Sequence, residues 1–121
     1  MIRRVLIVDD NKSVRESLAR LVRAWGHEVA AANDGESALA LADTFQPDCA
    51  VLDFSLPGIS GLELARQLRS RFPPDRLYIV AFTAYAAEDL KEEWQDAGID
   101  ECLNKPREMD RLESLLAGAL D

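Results

Sequence analysis

Arg3-Arg4-Val5-Leu6-Ile7-Val8-Asp9-Asp10 is the stretch on which the reading of this 121-residue chain turns. Two arginines before an apolar run imitate the start of a secretion signal. Asp9 and Asp10 end the run after four residues, short of the ~7–15 that such a signal needs. Val5–Val8 also lacks the in/out alternation of a half-exposed strand, which fits a parallel strand covered on both faces. The same kind of segment recurs at Val29-Ala30-Ala31-Ala32, Cys49-Ala50-Val51-Leu52 and Leu77-Tyr78-Ile79-Val80-Ala81-Phe82. Glu101-Cys102-Leu103-Asn104 gives a fifth and weaker signal.

Helical patterns lie between these runs. Val14, Leu18, Leu21, Val22 and Trp25 follow the spacing of one buried stripe, as do Ala38, Leu39, Ala42 and Phe45, and Leu62, Ala65, Leu68 and Phe72. Ala87 to Ala97 is more polar, with Leu90, Trp94 and Ala97 as inward candidates, and Met109, Leu112, Leu116 and Leu120 mark the last helix. Ser60 and Glu63 have capping-box spacing, Gly26 and Gly98 stand where helices want a left-handed end, and Phe72-Pro73-Pro74-Asp75 breaks the chain. Five β-then-α units predict a parallel sheet with helices on both faces. Without repeats, low-complexity stretches or linkers, residues 1–121 read as a single domain.

Composition narrows the functional classes. Apolar residues make up 48% of the chain, too many for disorder. With 14 Lys+Arg against 22 Asp+Glu, the formal net charge of -8 repels nucleic acid and anionic lipid, so neither is expected as a direct partner. Cys49 and Cys102 lack metal-ligand spacing and read as small buried hydrophobes in a reducing compartment. No apolar run approaches the ~20 residues that cross a bilayer. A soluble, cytoplasmic protein is expected.

Ligands of open α/β sheets bind beyond the carboxyl ends of the strands. Asp9 and Asp10 stand after the first predicted strand, Asp53 after the third, Thr83 after the fourth and Lys105 after the fifth. Each alone has an ordinary reading: paired aspartates as helix caps, Asp53 and Thr83 as turn residues, Lys105 as a solvated charge. Their coincidence at one end of the sheet is what caps alone do not require. Clustered carboxylates repel unless a cation sits among them, and an all-oxygen set with few protein groups suits Mg²⁺. A carboxylate can also act as a nucleophile toward phosphorus, with an ammonium and a hydroxyl neutralising the transferred group. No Walker-type glycine loop is present to hold a nucleotide donor.

Asp9-Asp10-Asn11, Asp53-Phe54-Ser55-Leu56-Pro57-Gly58-Ile59-Ser60-Gly61, Phe82-Thr83-Ala84 and Lys105-Pro106 together resemble the receiver domain of two-component response regulators. The likeness runs from Arg3 to Leu120 and includes Asn33-Asp34-Gly35 and Asp96-Ala97-Gly98-Ile99-Asp100. It implies a flavodoxin-like, doubly wound (βα)5 three-layer sandwich with strand order 2-1-3-4-5. It further implies Asp53 as the acceptor of a phosphoryl group from a phosphohistidine on a sensor kinase or histidine phosphotransfer protein. In the family pattern Asp10 ligates Mg²⁺ directly, Asp9 largely through water, and the backbone carbonyl of Ser55 completes the set. Lys105 and Thr83 contact phosphoryl oxygens, and Pro106 follows a cis bond that aims the lysine inward. Ser55 and Tyr85 stand at variable positions that gate hydrolytic water, with Tyr85 as a shield.

Receivers usually carry Tyr or Phe where this chain has Cys102, which puts the usual rotameric report in question; Trp94 is a candidate substitute, and ordinary packing is its plain alternative. The resemblance implies a phosphoacceptor that assists its own phosphorylation and dephosphorylation rather than an enzyme. It also implies a downstream protein target or an output domain outside this chain, with a phosphorylation-dependent dimer among its states. A pseudo-receiver used only for protein contacts is the alternative, and the complete Asp9, Asp10, Asp53, Thr83 and Lys105 set argues against it. A flavodoxin-like cofactor binder would want Ser, Thr and Gly where Asp9-Asp10 stand, and a Mg²⁺-dependent phosphohydrolase would want a substrate pocket. His27 follows Gly26 in a loop and reads as a surface residue without a role.

Overall fold

The structure, a computed structural model, describes residues 2–83, 91–104 and 108–119. Its elements are β1 (Arg4–Val8), α1 (Lys12–Ala24), β2 (Glu28–Ala32), α2 (Gly35–Phe45), β3 (Cys49–Leu52), α3 (Gly61–Arg71), β4 (Tyr78–Thr83), α4 (Lys91–Asp96), β5 (Glu101–Asn104) and α5 (Met109–Ser114), the last followed by a π-helical turn at Leu115–Ala119. All five strands are parallel, in the order β2-β1-β3-β4-β5. This is the doubly wound sheet that the sequence predicts. The fourth strand starts and ends one residue later than expected, which makes Thr83 its last residue rather than the first beyond it.

The continuous apolar runs are explained by two cores. Val5 and Ile7 of β1 point to one face, where they meet Leu18 and Val22 of α1, Leu112 of α5 and Leu116 of the π-helical turn. Leu6 and Val8 point to the other, against Ala38 and Ala42 of α2 and Leu64 and Leu68 of α3. Side chains alternate across a strand, so a strand covered on both sides shows no polar alternation. Cys49 lies in the first core, while Cys102 packs at the border of the second, so the sheet separates the two thiols. Burial pushes the half-buried Cys102 thiol up to about 11, with Glu108 adding to the effect, and pushes Cys49 higher still.

Helix ends behave as expected. Ser60 Oγ accepts the Glu63 N–H at 3.1 Å, and Gly26 and Gly98 take φ of +98° and +91° after α1 and α4. None of the described helices is long and apolar enough to cross a membrane. Ala87–Leu90 and Leu120 of the predicted helical stripes lie outside the described residues.

Two expectations are corrected. Leu21 is 41% exposed rather than buried. Residues advance about 100° around a helix; the inward direction of α1 is set by Leu18, Ala19 and Val22, and Leu21 falls about 100° from Val22. His27 is not a surface residue. It is 8% exposed, because β1 and β2 pair from their first residues and Glu28 N–H donates to Arg3 O at 2.9 Å just beyond that pairing. Its Nδ1 accepts the Arg3 N–H at 3.0 Å, and burial, then the Arg3 charge, lower its pKa.

Candidate functional site

The register of the central strands builds the site. Val8 is paired with Leu52, and the next residue of each chain segment is an aspartate. Asp53 N–H donates to Val8 O at 3.0 Å, and Asp9 N–H donates to Ala32 O at 3.2 Å on the other side, so the sheet hydrogen bonding extends one residue into the site. One carboxylate oxygen from each of Asp9, Asp10 and Asp53 lies within 4.8 Å of the others. Asp9 is buried, Asp53 half-buried and Asp10 exposed, giving a cluster open on one side.

Local chemistry holds each member. Asn11, not an aspartate, caps α1: its Oδ1 accepts Val14 N–H at 3.0 Å, while its own N–H donates to Asp9 Oδ1 at 2.9 Å. Asp53 Oδ1 accepts the Ser55 N–H at 3.3 Å, which keeps the exposed Ser55 beside Asp53. The loop after β3 then returns to its start, since Gly61 N–H donates to Phe54 O at 3.1 Å. Only glycine fits there, because a β-carbon on Gly61 would strike the Asp53 carbonyl and lie 2.7 Å from Phe54 Cα. Phe54, Leu56 and Ile59 pin the loop to the core.

Asp34, the acidic residue after β2, does not join the cluster. It caps α2, with Oδ1 accepting Ser37 N–H at 2.7 Å, and that backbone hydrogen bond holds its carboxyl below the usual range. Thr83 is buried at the end of β4 and faces Asn104 in register. Asn104 precedes Lys105, and Asn104 N–H donates to Glu108 Oε1 at 3.0 Å across the intervening segment. Lys105, Pro106 and Tyr85 lie outside the described residues. Trp94 is half-buried and packs, like Cys102, against the core on the α2–α3 side of the sheet.

One contributor escapes motif reading. Arg15 Nη1 donates to the Asp9 carbonyl oxygen at 2.9 Å. An arginine in a helix reads as solvated by default, yet Arg15 shares its face with Ala19 and Val22 at i+4 and i+7, and that spacing is the signal.

Three carboxylates this close repel one another, and a hard cation that prefers oxygen relieves the repulsion. The donor set fits Mg²⁺ on that chemistry. Thr83 is buried at the end of β4, the strand next to β3, and the Ser55 N–H donates to Asp53 within the cluster.

The sequence model of the response regulator receiver domain matches residues 5–117. Response regulator MprA of Mycolicibacterium vanbaalenii is 42% identical over 109 residues, which cover 90% of this chain and 46% of that protein. MprA of Mycobacterium leprae is also 42% identical, over 90% of this chain and 47% of its own length. The chain thus spans about half the length of the curated relatives it matches. Among solved structures, response regulator TrrA of Thermotoga maritima, in complex with Mg(2+)-BeF, has a TM-score of 0.85 at 31% identity, covering 98% of this chain and 99% of that one. Chemotaxis protein CheY4 of Vibrio cholerae has a TM-score of 0.88 at 28% identity, covering 97% and 98%.

Proposed function

The chain belongs to the response regulator receiver domain family, and on that premise we propose that Asp53 is its phosphoacceptor, charged from a phosphohistidine with Mg²⁺ held by Asp9, Asp10 and Asp53. The observation that carries this reading is the meeting of the three carboxylates within 4.8 Å at the carboxyl edge of the sheet. Receiver domains of two-component response regulators relay signals by aspartyl phosphorylation, and this acidic cluster fits such a site.

In the proposed transfer an Asp53 carboxylate oxygen attacks phosphorus. The P–N bond to the donor imidazole breaks, its electron pair returning to nitrogen, and an acyl phosphate forms. Mg²⁺, when bound, supplies positive charge for the phosphoryl oxygens. Thr83, from its buried place on β4, donates its hydroxyl to one phosphoryl oxygen, and Lys105 neutralises another. Ser55 contributes its backbone carbonyl to the metal set, and its N–H holds Asp53 in line. Hydrolysis reverses the modification: water attacks phosphorus, the P–O bond to Asp53 breaks, and carboxylate and phosphate are released. Tyr85, beside the acceptor in sequence pattern, shields the acyl phosphate from that water.

Residues 1–121 act on this reading as one cytoplasmic receiver unit. Its donors are a sensor histidine kinase or a histidine phosphotransfer protein. Its output is a downstream protein or a further domain of a longer chain, with a phosphorylation-dependent dimer as one form. The test uses phosphoramidate, whose P–N bond mimics the donor, with intact mass as readout. An adduct of ~80 Da that forms with Mg²⁺ and not with EDTA is expected. No adduct, or one indifferent to Mg²⁺, overturns the reading.

A further inference from the structure

We propose that Arg15 is a positioning residue for the Mg²⁺ site, acting through the peptide unit that joins Asp9 to Asp10; the inference rests on the metal reading given above.

Asp9 is gripped through its backbone and its side chain. Its N–H donates to Ala32 O at 3.2 Å, its Oδ1 accepts Asn11 N–H at 2.9 Å, and its carbonyl accepts Arg15 Nη1 at 2.9 Å. The donors of the first two bonds are backbone N–H groups, so both bonds survive a change of the Arg15 side chain. The third is a charge-assisted bond from the body of α1 and depends on one side chain. That carbonyl belongs to the peptide plane that carries the Asp10 nitrogen and Cα, so holding it fixes the N–Cα bond from which the Asp10 side chain departs. Asp10 is exposed and makes no hydrogen bond or ion pair of its own among the described residues. The residue cast as the direct metal ligand is therefore held only through its chain neighbours, Asn11 at the cap of α1 and Asp9 at the end of β1, and Arg15 fixes the peptide shared with Asp9.

The position of Arg15 is otherwise unfavourable. It lies in the first turns of α1, where the helix dipole disfavours a cation, and its charge repels an incoming Mg²⁺. These two effects give the proposal a sign. If Arg15 were only a nearby charge, removing it would tighten Mg²⁺ binding. If it positions the turn, removing it weakens binding despite the lost repulsion.

Calorimetric Mg²⁺ titration of wild type, Arg15→Met and Arg15→Lys decides between them, with circular dichroism and metal-free melting temperature recorded for each. Arg15→Met is expected to bind Mg²⁺ roughly tenfold more weakly than wild type. Arg15→Lys, which keeps the charge and one donor, is expected to recover part of that loss. Equal or tighter binding by Arg15→Met overturns the proposal, as does a change confined to melting temperature, which would mark a purely structural role. If Arg15→Met does not fold, Arg15→Gln takes its place under the same outcomes. Wild type that binds no Mg²⁺ is a separate result: it removes the metal reading itself, and the inference with it.

Discussion

Asp9 and Asp53 leave adjacent parallel strands at the same height, each one residue beyond the paired Val8 and Leu52, and their carboxylates converge with that of Asp10 to within 4.8 Å. The strand register brings Asp9 and Asp53 together, and Asp10 joins them from the turn that follows β1. Asp9 is 2% exposed, so one negative charge of the cluster sits where water screens it poorly.

That crowding has a measurable consequence in the metal-free protein. Asp53→Asn removes one repelling charge and keeps an oxygen to accept the Ser55 N–H. Its stability in EDTA should rise by about 1 kcal/mol, read as a higher urea midpoint. Added Mg²⁺ should stabilise the wild type and lose most of that effect in the variant.

Gly61 tests the loop that returns to Asp53. A β-carbon there meets Asp53 and Phe54 backbone atoms that cannot move independently of β3. Gly61→Ala should cost about 2 kcal/mol through overpacking and should weaken Mg²⁺ binding together with stability, by urea unfolding and calorimetry. Gly58→Ala is the control, since its β-carbon meets nothing within 4 Å and only its φ of +76° is strained.

His27 makes stability depend on pH in a defined direction. Its Nδ1 accepts a hydrogen bond and must therefore be unprotonated, and burial, then Arg3, hold its pKa below the ordinary 6.5. The unfolded chain then binds more protons than the folded one between 6.5 and that lower value, so stability falls as pH drops through this window. Urea midpoints between pH 7.5 and 5 should fall more steeply for the wild type than for His27→Gln, which cannot titrate. Parallel slopes would refute the assignment.

Arg69 ties α3 to the start of β5. Its guanidinium donates to Leu77 O at 2.7 Å, to Gly98 O at 2.7 Å and to Asp100 Oδ2 at 2.8 Å, and Asp100 in turn accepts the Ile79 N–H at 2.8 Å. With the Arg69 side chain 16% exposed, Arg69→Met strips a partner from the Phe72, Leu77 and Gly98 carbonyls and from the Asp100 carboxylate. A loss of about 2–4 kcal/mol is expected in urea unfolding, against a few tenths for the exposed Arg66→Met.

The sheet was legible because burial on both faces writes itself as unbroken apolar runs, and because Asp9, Asp53 and Thr83 mark the ends of three of them. The weaker fifth strand proved real over Glu101–Asn104, its polar ends lying beside α5 and the Asn104–Glu108 bonds. What escaped were features set by direction rather than type. Leu21 matches a stripe by spacing but points away from its centre, and Arg15 points inward although its charge suggests solvent. His27 is buried by a strand pairing that no local pattern announces. Asp34 shows the reverse, a carboxylate at a strand end that is only a helix cap.

The most direct test is the mass of the protein after incubation with acetyl phosphate and Mg²⁺, wild type beside Asp53→Ala. The wild type should gain ~80 Da and the variant should gain nothing. An adduct of the same mass on Asp53→Ala would contradict the assignment of Asp53, and its absence from both would contradict the phosphoacceptor itself.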